Sequence, residues 1–189
     1  MSNRKAELLD AALHYLQEHG VADVSLRPLA AALGTSPRML MFHFKSKEDL
    51  LQEVMVELNV RLGKSLETIT TSSARPRGEP PLRAFWRWAT KENNLPYLRL
   101  LYEAQIIAAQ NPARYGFYLK KASCDWQKLA LAAMSEPLRT STLATVCIAV
   151  FDGLMLELMC TGDHARLTRA LDVFIDLVTT GAAQKLSTA

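Results

Sequence analysis

The 189-residue sequence contains little glycine, proline or cysteine. Eight Gly and eight Pro leave long uninterrupted segments, and no run of alternating apolar and polar residues predicts a strand. The three cysteines, Cys124, Cys147 and Cys160, cannot all pair within the chain and form no CxxC motif. This usage indicates a reduced, cytoplasmic setting. Apolar residues at 49% and charged residues at 22% exclude a disordered or fibrous chain.

Long apolar runs are also missing from the sequence. The longest, around Leu143 to Phe151, is short for a membrane span. Near the N-terminus, Glu7 and Asp10 interrupt any apolar signal-peptide core. We therefore expect a soluble cytoplasmic protein with no membrane partner.

Catalytic and metal-binding motifs are not found either. The sequence has no GxSxG, no HExxH and no Walker loop, and its four histidines are scattered outside any metal-ligand spacing. We expect no catalytic residue, no metal and no cofactor, so the protein is not predicted to be an enzyme.

Helical spacing dominates and predicts an all-α fold. A first helix ends at Gly20, a second covers 26–33, Ser36 and Pro37 begin a third, and Ser46 begins a fourth whose apolar stripe runs from Leu50 to Leu62. Residues 70–81 (TTSSARPRGEPP) predict an exposed, mobile connection. Further helices are predicted over 82–92, 96–109, 112–134, 140–160 and 164–180.

The second and third helices have the layout of a helix-turn-helix, whose second helix enters the DNA major groove. The formal net charge of the whole chain is only +3, so the distribution of charge carries more information than the total. Between Val24 and Lys47 there are four basic residues and no acidic one. Such a basic surface favours binding of duplex DNA, which carries a dense phosphate charge. Short helix pairs also occur in bundles that bind no DNA.

Residues 25–51, SLRPLAAALGTSPRMLMFHFKSKEDLL, closely resemble the DNA-binding region of tetracycline-repressor-type (TetR family) transcriptional regulators. The resemblance extends upstream through residues 9–20, LDAALHYLQEHG, and covers about the first quarter of the chain. The rest agrees in length, in helix count and in a Phe151-Asp-Gly-Leu154 segment like that of the family's penultimate helix.

The resemblance implies a ligand-responsive transcriptional regulator, a repressor that binds a palindromic operator as a homodimer and is released by a small, mostly apolar molecule. It divides the chain into a helix-turn-helix DNA-binding domain over 1–47, a connecting fourth helix over 46–69, and a ligand-binding and dimerisation domain over 82–189. Two alternatives remain open: a helical ligand-binding protein of this fold without DNA binding, and a small helical enzyme.

Matching positions carry the family's DNA contacts over to this chain. Arg38 is expected to contact guanine, Met39 offers apolar contact to a thymine methyl, and Lys47 binds a phosphate. The positions assigned to DNA contact are Arg27, Thr35, Ser36, Pro37, Arg38, Met39, Phe42, His43 and Lys47, with Phe42 and His43 expected along the DNA backbone. Met41 stands where the family commonly has a Tyr, and Met cannot donate a hydrogen bond to a phosphate.

Nine of the fourteen aromatic residues lie between Phe85 and Trp126, where the family holds its ligand pocket. Packing explains most of them, and the expected pocket positions are Trp86, Tyr102, Glu103, Tyr118, Trp126, Cys147, Phe151 and Met155. Glu103 would act as a polar anchor or counter-ion; the alternative is an exposed helical Glu. The penultimate helix is apolar on more than one face and must be covered on two sides. The resemblance implies that a second subunit covers it; the alternative is burial within one subunit.

Overall fold

The computed structural model describes residues 3–22, 24–71 and 76–187. Within these ranges the protein consists of nine α-helices and no strands, which confirms the predicted all-α fold. The helices are α1 Asn3–His19, α2 Leu26–Ala32, α3 Pro37–Phe44, α4 Lys47–Thr71, α5 Pro81–Ala89, α6 Leu95–Gln110, α7 Pro112–Ala133, α8 Ser141–Thr161 and α9 His164–Ser187. Residues 72–75, in the middle of the connection predicted over 70–81, lie outside the described residues.

Serine side chains lie at the starts of α2, α3 and α4, and those before α3 and α4 accept hydrogen bonds from the first turn of the helix. Ser36 caps α3, because its Oγ accepts a hydrogen bond from the Met39 N–H at 3.2 Å. Ser46 precedes α4; its Oγ accepts from the Asp49 N–H at 3.0 Å and donates to the Asp49 carboxylate at 2.8 Å. Ser25 occupies the capping position of α2 but makes no capping hydrogen bond with its side chain.

The chain forms two compact units. The first unit contains residues 1–62 and 92–122, and the second contains 63–91 and 123–189. In the first unit, α1 packs against α2 and α6, and α2 packs against α3. In the second unit, α9 packs against α5 and α8. The division into functional domains over 1–47 and 82–189 stays a prediction.

Helix α8 combines length with an unusually apolar composition. Among the described helices it alone is long and apolar enough to cross a membrane by those two measures, so the apolar segment is longer than the 143–151 run selected from the sequence. Only 22% of its most apolar stretch is buried within the protomer. About half of the residues of this helix are exposed in the protomer, and others are only half-buried.

Candidate functional site

Helices α2 and α3 form a tight pair in the first unit. Leu29 and Ala30 of α2 and Leu40 and Phe44 of α3 are all buried. The chain turns between the two helices at Gly34, whose φ of 62° favours glycine. The local sequence therefore builds the helix-turn-helix that the pattern predicts.

The buried pair Leu40 and Phe44 fixes which face of α3 points to solvent. With about 100° between successive helical residues, Phe42 projects opposite these two side chains, flanked by Arg38 and Met39. All three are exposed: Phe42 to 76% and Met39 to 44%. The outward face of α3 thus combines one guanidinium with two apolar side chains.

The remaining residues predicted to contact DNA lie around this face. Arg27 and Ser36 are exposed, whereas Thr35, Pro37 and His43 are half-buried. The ring of His43 meets the Phe42 ring edge-on, with 5.3 Å between ring centroids.

Lys47 begins α4 and is half-buried. Its Nζ donates a hydrogen bond to the carbonyl oxygen of Val24 at 2.8 Å, which holds the ammonium beside the segment leading into α2. A lysine ammonium has three N–H donors, so donors remain for a phosphate. The adjacent Asp49 carboxylate is paired with Arg114 of α7, which anchors the start of α4.

Lys45 is a basic residue that the sequence analysis counted but did not select. It is exposed and follows α3, with a φ of 67°, which is uncommon for a residue with a side chain. Its N–H still donates to the Met41 carbonyl at 2.8 Å, and its positive φ turns the chain out of the helix. Its position in the acid-free basic stretch was a usable signal for a candidate phosphate contact.

Glu103 of α6 contacts the C-terminal end of α1. Its Oε2 accepts a hydrogen bond from the Val21 N–H at 3.0 Å. A Cβ built at Gly20, where φ is 75°, would lie 2.9 Å from the same oxygen. Beside this contact, Gln17, Arg99 and Glu103 line part of a cleft of about 170 Å³. Glu103 is half-buried and has a protein partner for its carboxylate.

Tyr102 and Tyr118 also belong to the first unit, and both are buried. The Asn59 amide donates to the Tyr118 hydroxyl at 2.6 Å. Burial raises the pKa of the Tyr118 phenol, and the hydrogen bond from Asn59 opposes part of that rise. Tyr118 packs with Met55 of α4 and Ala104 of α6 in one apolar cluster.

The other five predicted pocket residues lie in the second unit, which contains a cluster of aromatic rings. Phe85 is its centre, with ring centroids 4.8 Å from Phe151, 5.6 Å from Trp88 and 6.3 Å from Trp126. Trp86 meets Phe151 edge-on at 6.0 Å. Phe85 was not among the predicted pocket residues, although its position next to Trp86 in an aromatic segment was a usable signal.

Polar groups fix the edge of this aromatic cluster. The indole N–H of Trp86 donates to the Thr168 hydroxyl at 2.9 Å, and His164 stacks on the Trp86 ring at 6.3 Å. On α8, Met155 is buried and Cys147 is half-buried, and burial raises the pKa of the Cys147 thiol.

The eight predicted pocket positions therefore divide between the two units, three in the first and five in the second. In the part of the chain that the structure describes, no group of three or more His, Cys, Asp or Glu side chains is placed to hold a metal ion.

The helix-turn-helix region also matches a known family of proteins. A family model described as bacterial regulatory proteins, tetR family, matches residues 8–54. Residues 8–54 therefore form a DNA-binding region of the TetR type. The match covers most of α1, all of α2 and α3, and the first turns of α4. This region and the relatives below support the class of TetR-type, DNA-binding transcriptional regulators.

Similarity to known TetR-type regulators extends over nearly the whole chain. The HTH-type nicotine-responsive transcriptional repressor HdnoR of Paenarthrobacter nicotinovorans is 24% identical over 181 residues, which cover 92% of this chain and 93% of the relative. The fold resembles a transcriptional regulator from Rhodococcus sp. Rha1, with a TM-score of 0.77, 21% identity, and 96% and 98% of the two chains covered. It also resembles multidrug binding protein EbrR complexed with ethidium, with a TM-score of 0.68, 22% identity, and 90% and 97% covered.

Proposed function

We propose that the protein is a repressor that binds a palindromic operator as a homodimer and releases it when a small, mostly apolar, ring-containing molecule binds. The observation that carries the DNA-binding part is the outward face of α3. It presents Arg38 to solvent within a stretch, Val24 to Lys47, that has four basic residues and no acidic one. Dense phosphate charge favours such a surface, and Arg is the commonest partner of guanine in the major groove.

Selection of bound sequences from a random duplex pool tests this assignment. We expect enrichment of a two-fold symmetric site, with log affinity falling linearly with log salt concentration. Lys47→Ala should weaken binding to all sequences and reduce the salt slope by about two, one for each subunit of the dimer, whereas Arg38→Ala should relax the preference at one base pair of each half-site. Lys128→Ala, an exposed lysine on α7, is the matched control and should change neither. A pool without symmetric enrichment, or an affinity independent of salt, would contradict the proposal.

The homodimer is supported by uncovered apolar stripes on two neighbouring helices. On α8 the exposed stripe repeats every three or four residues, and on α9 a similar stripe ends in an exposed Leu. Its members are Val146, Ala149, Gly153, Leu156 and Cys160 on α8, and Ala170, Val173 and Leu177 on α9. Because α8 and α9 pack on each other, the same two stripes from a second copy form a self-complementary, four-helix contact.

Introducing a charge on this surface distinguishes a dimer interface from an incidental apolar patch. Leu156→Glu and Leu177→Glu should convert the protein to monomers in sedimentation experiments and abolish operator binding, because paired half-sites require two recognition helices. Ile106→Glu, on α6, also places a carboxylate on an exposed apolar position and should leave the dimer intact. Dimers that persist in both α8 and α9 variants would exclude this interface.

The effector part rests on the aromatic cluster of the second unit. Flat rings such as those of Phe85, Trp86 and Phe151 suit a ring-containing ligand, and the Trp86 N–H provides a polar group at the edge. Trp86 is almost fully buried, so a ligand must displace packed rings to enter. Two similar proteins, one nicotine-responsive and one complexed with ethidium, suggest nicotine and ethidium as the first compounds to test.

Tryptophan quenching followed by DNA displacement tests the effector. A compound that releases the operator must favour the non-binding conformation, since equal affinity for both states shifts nothing. Helix α4 runs continuously from the first unit into the second, so a tilt of α4 is the proposed route from ligand to recognition helices. Compounds that quench tryptophan yet leave operator affinity unchanged would refute induction without affecting the DNA-binding assignment.

A cytoplasmic location follows from this function, because the operator lies in the same compartment. Asp152 and Glu157 interrupt α8, which fits an interface between subunits better than a membrane span.

A further inference from the structure

Phe42 has an unusual position for a phenylalanine. It lies at the outward pole of α3, opposite the buried Leu40 and Phe44, and 76% of it is exposed. Met39 flanks it and is 44% exposed. Isolated exposed apolar residues are common, but two on one face of the helix that presents Arg38 form a small patch that leaves apolar surface in contact with water.

The charges around this patch identify what covers it. Arg38 precedes Phe42 by one helical turn, and Arg27, Lys45 and Lys47 complete the acid-free basic stretch. The major groove of DNA supplies phosphates for the cations and presents base edges to the helix between them.

Major-groove chemistry then limits what a phenyl ring and a thioether can read. Phe has no hydrogen-bonding group in its side chain, and Met offers only a weak acceptor. Among the groups on base edges in the major groove, the C5-methyl group of thymine is the apolar one.

We infer that Phe42 is a specificity-determining residue that reads a thymine methyl group beside the base pair contacted by Arg38, in addition to the methyl contact that the resemblance implies for Met39. The inference rests on the proposed function and names the class of operator: half-sites with thymine next to the Arg38 contact. It replaces the expectation that Phe42 lies along the DNA backbone.

Removing one methyl group isolates this contact. Deoxyuridine pairs as thymidine does and lacks only the C5-methyl. Burial of one such carbon corresponds to about a fourfold change in Kd. Symmetric replacement in both half-sites of a dimer should therefore weaken binding about 15-fold.

The experiment uses the full-length protein and the operator selected from the random pool. Each thymine is replaced in turn by deoxyuridine in both half-sites, and binding is titrated by fluorescence anisotropy at fixed salt. Wild-type protein should lose affinity at one or two positions of each half-site. Phe42→Ala or Met39→Ala should bind the two operators equally at the position that each residue reads. Both residues are exposed, so neither variant removes a core side chain.

Phe117→Ala is the matched control, because Phe117 is an exposed phenylalanine on α7, at 80%. This variant should keep the full discrimination between thymine and deoxyuridine. The inference is overturned if the wild type binds both operators equally, if the half-sites contain no thymine, or if Phe42→Ala weakens both operators by the same factor. In each of these cases an operator still binds. A pool that yields no operator at all would instead refute the proposed function, and the inference with it.

Discussion

The contact between Gly20 and Glu103 permits a quantitative test of how α1 is held against α6. The Glu103 carboxylate accepts a hydrogen bond from the Val21 N–H, and it occupies the space that a side chain at position 20 would need. Truncation to Ala at position 103 orphans a part-buried N–H. The free energy of unfolding should then fall by about 1–3 kcal/mol, the cost of an unsatisfied buried donor.

Gly20→Ala should cost more, for two separate reasons. A side chain at φ 75° costs about 1–2 kcal/mol. The new Cβ would also lie only 2.9 Å from a carboxylate oxygen of Glu103. The carboxylate must therefore move, which breaks its hydrogen bond to Val21. The sum is about 2–5 kcal/mol.

The double variant distinguishes this account from two unrelated defects. Since Gly20→Ala already breaks the hydrogen bond, adding Glu103→Ala should cost little further. The double variant should be more stable than additivity predicts, by about 1–3 kcal/mol. Urea denaturation measures the cycle, and amide exchange at Val21 should accelerate in both single variants. Glu18→Ala, an exposed neighbour, is the control. Additive effects, or unchanged exchange at Val21, would refute the proposed contact.

Three further predictions concern stability in the absence of DNA. Leu58→Ala should cost about 2–5 kcal/mol because Leu58 is fully buried, whereas Val60→Ala, two residues further on α4 and exposed, should stay within about 0.5 kcal/mol in the same urea titration. Ser36→Ala should cost about 0.5–2 kcal/mol through loss of the α3 cap, and Ser25→Ala clearly less, since Ser25 makes no capping bond; equal losses would contradict the cap assignment. Burial raises the pKa of Tyr118 above that of the unfolded chain, so its contribution is complete below about pH 10 and is lost as the pH rises through the folded pKa. Tyr118→Phe should therefore flatten the decline in stability measured above pH 10, and an unchanged decline would assign the effect to other groups.

The sequence predicts the helices and the helix-turn-helix well, because their signals are local. Ser36 followed by Pro37 marks the start of α3, and the stripe from Leu50 to Leu62 marks α4. Each of these signals lies within or next to the helix that it predicts. The end of α9 was placed at residue 180, seven residues before its end at Ser187. Gly181 follows residue 180 and is typical of a helix end, but it lies inside α9 in the structure.

The contacts between distant segments were not predictable in the same way. Glu103 and Val21 are 82 residues apart, and one carboxylate in an apolar helix does not reveal its partner. Similarly, Phe85 was one of nine aromatic residues with the same composition signal, and its central place depends on how α5, α7 and α8 pack. Residue spacing identifies which face of a helix is apolar, but not which helix covers it.

The discontinuity of the first unit has a consequence for folding and for engineering. Residues 92–122 return to pack with residues 1–62, so the DNA-binding helices gain their full set of partners only after residue 122 has been synthesised. A fragment that ends with α4 would lack Glu103, Tyr115 and Tyr118, whose partners lie just after α1 and in α4. Long sequence separation between contacting segments also slows folding. A chimera that transfers operator specificity to another TetR-type regulator must therefore carry both segments, or retain compatible contacts along α6 and the first half of α7.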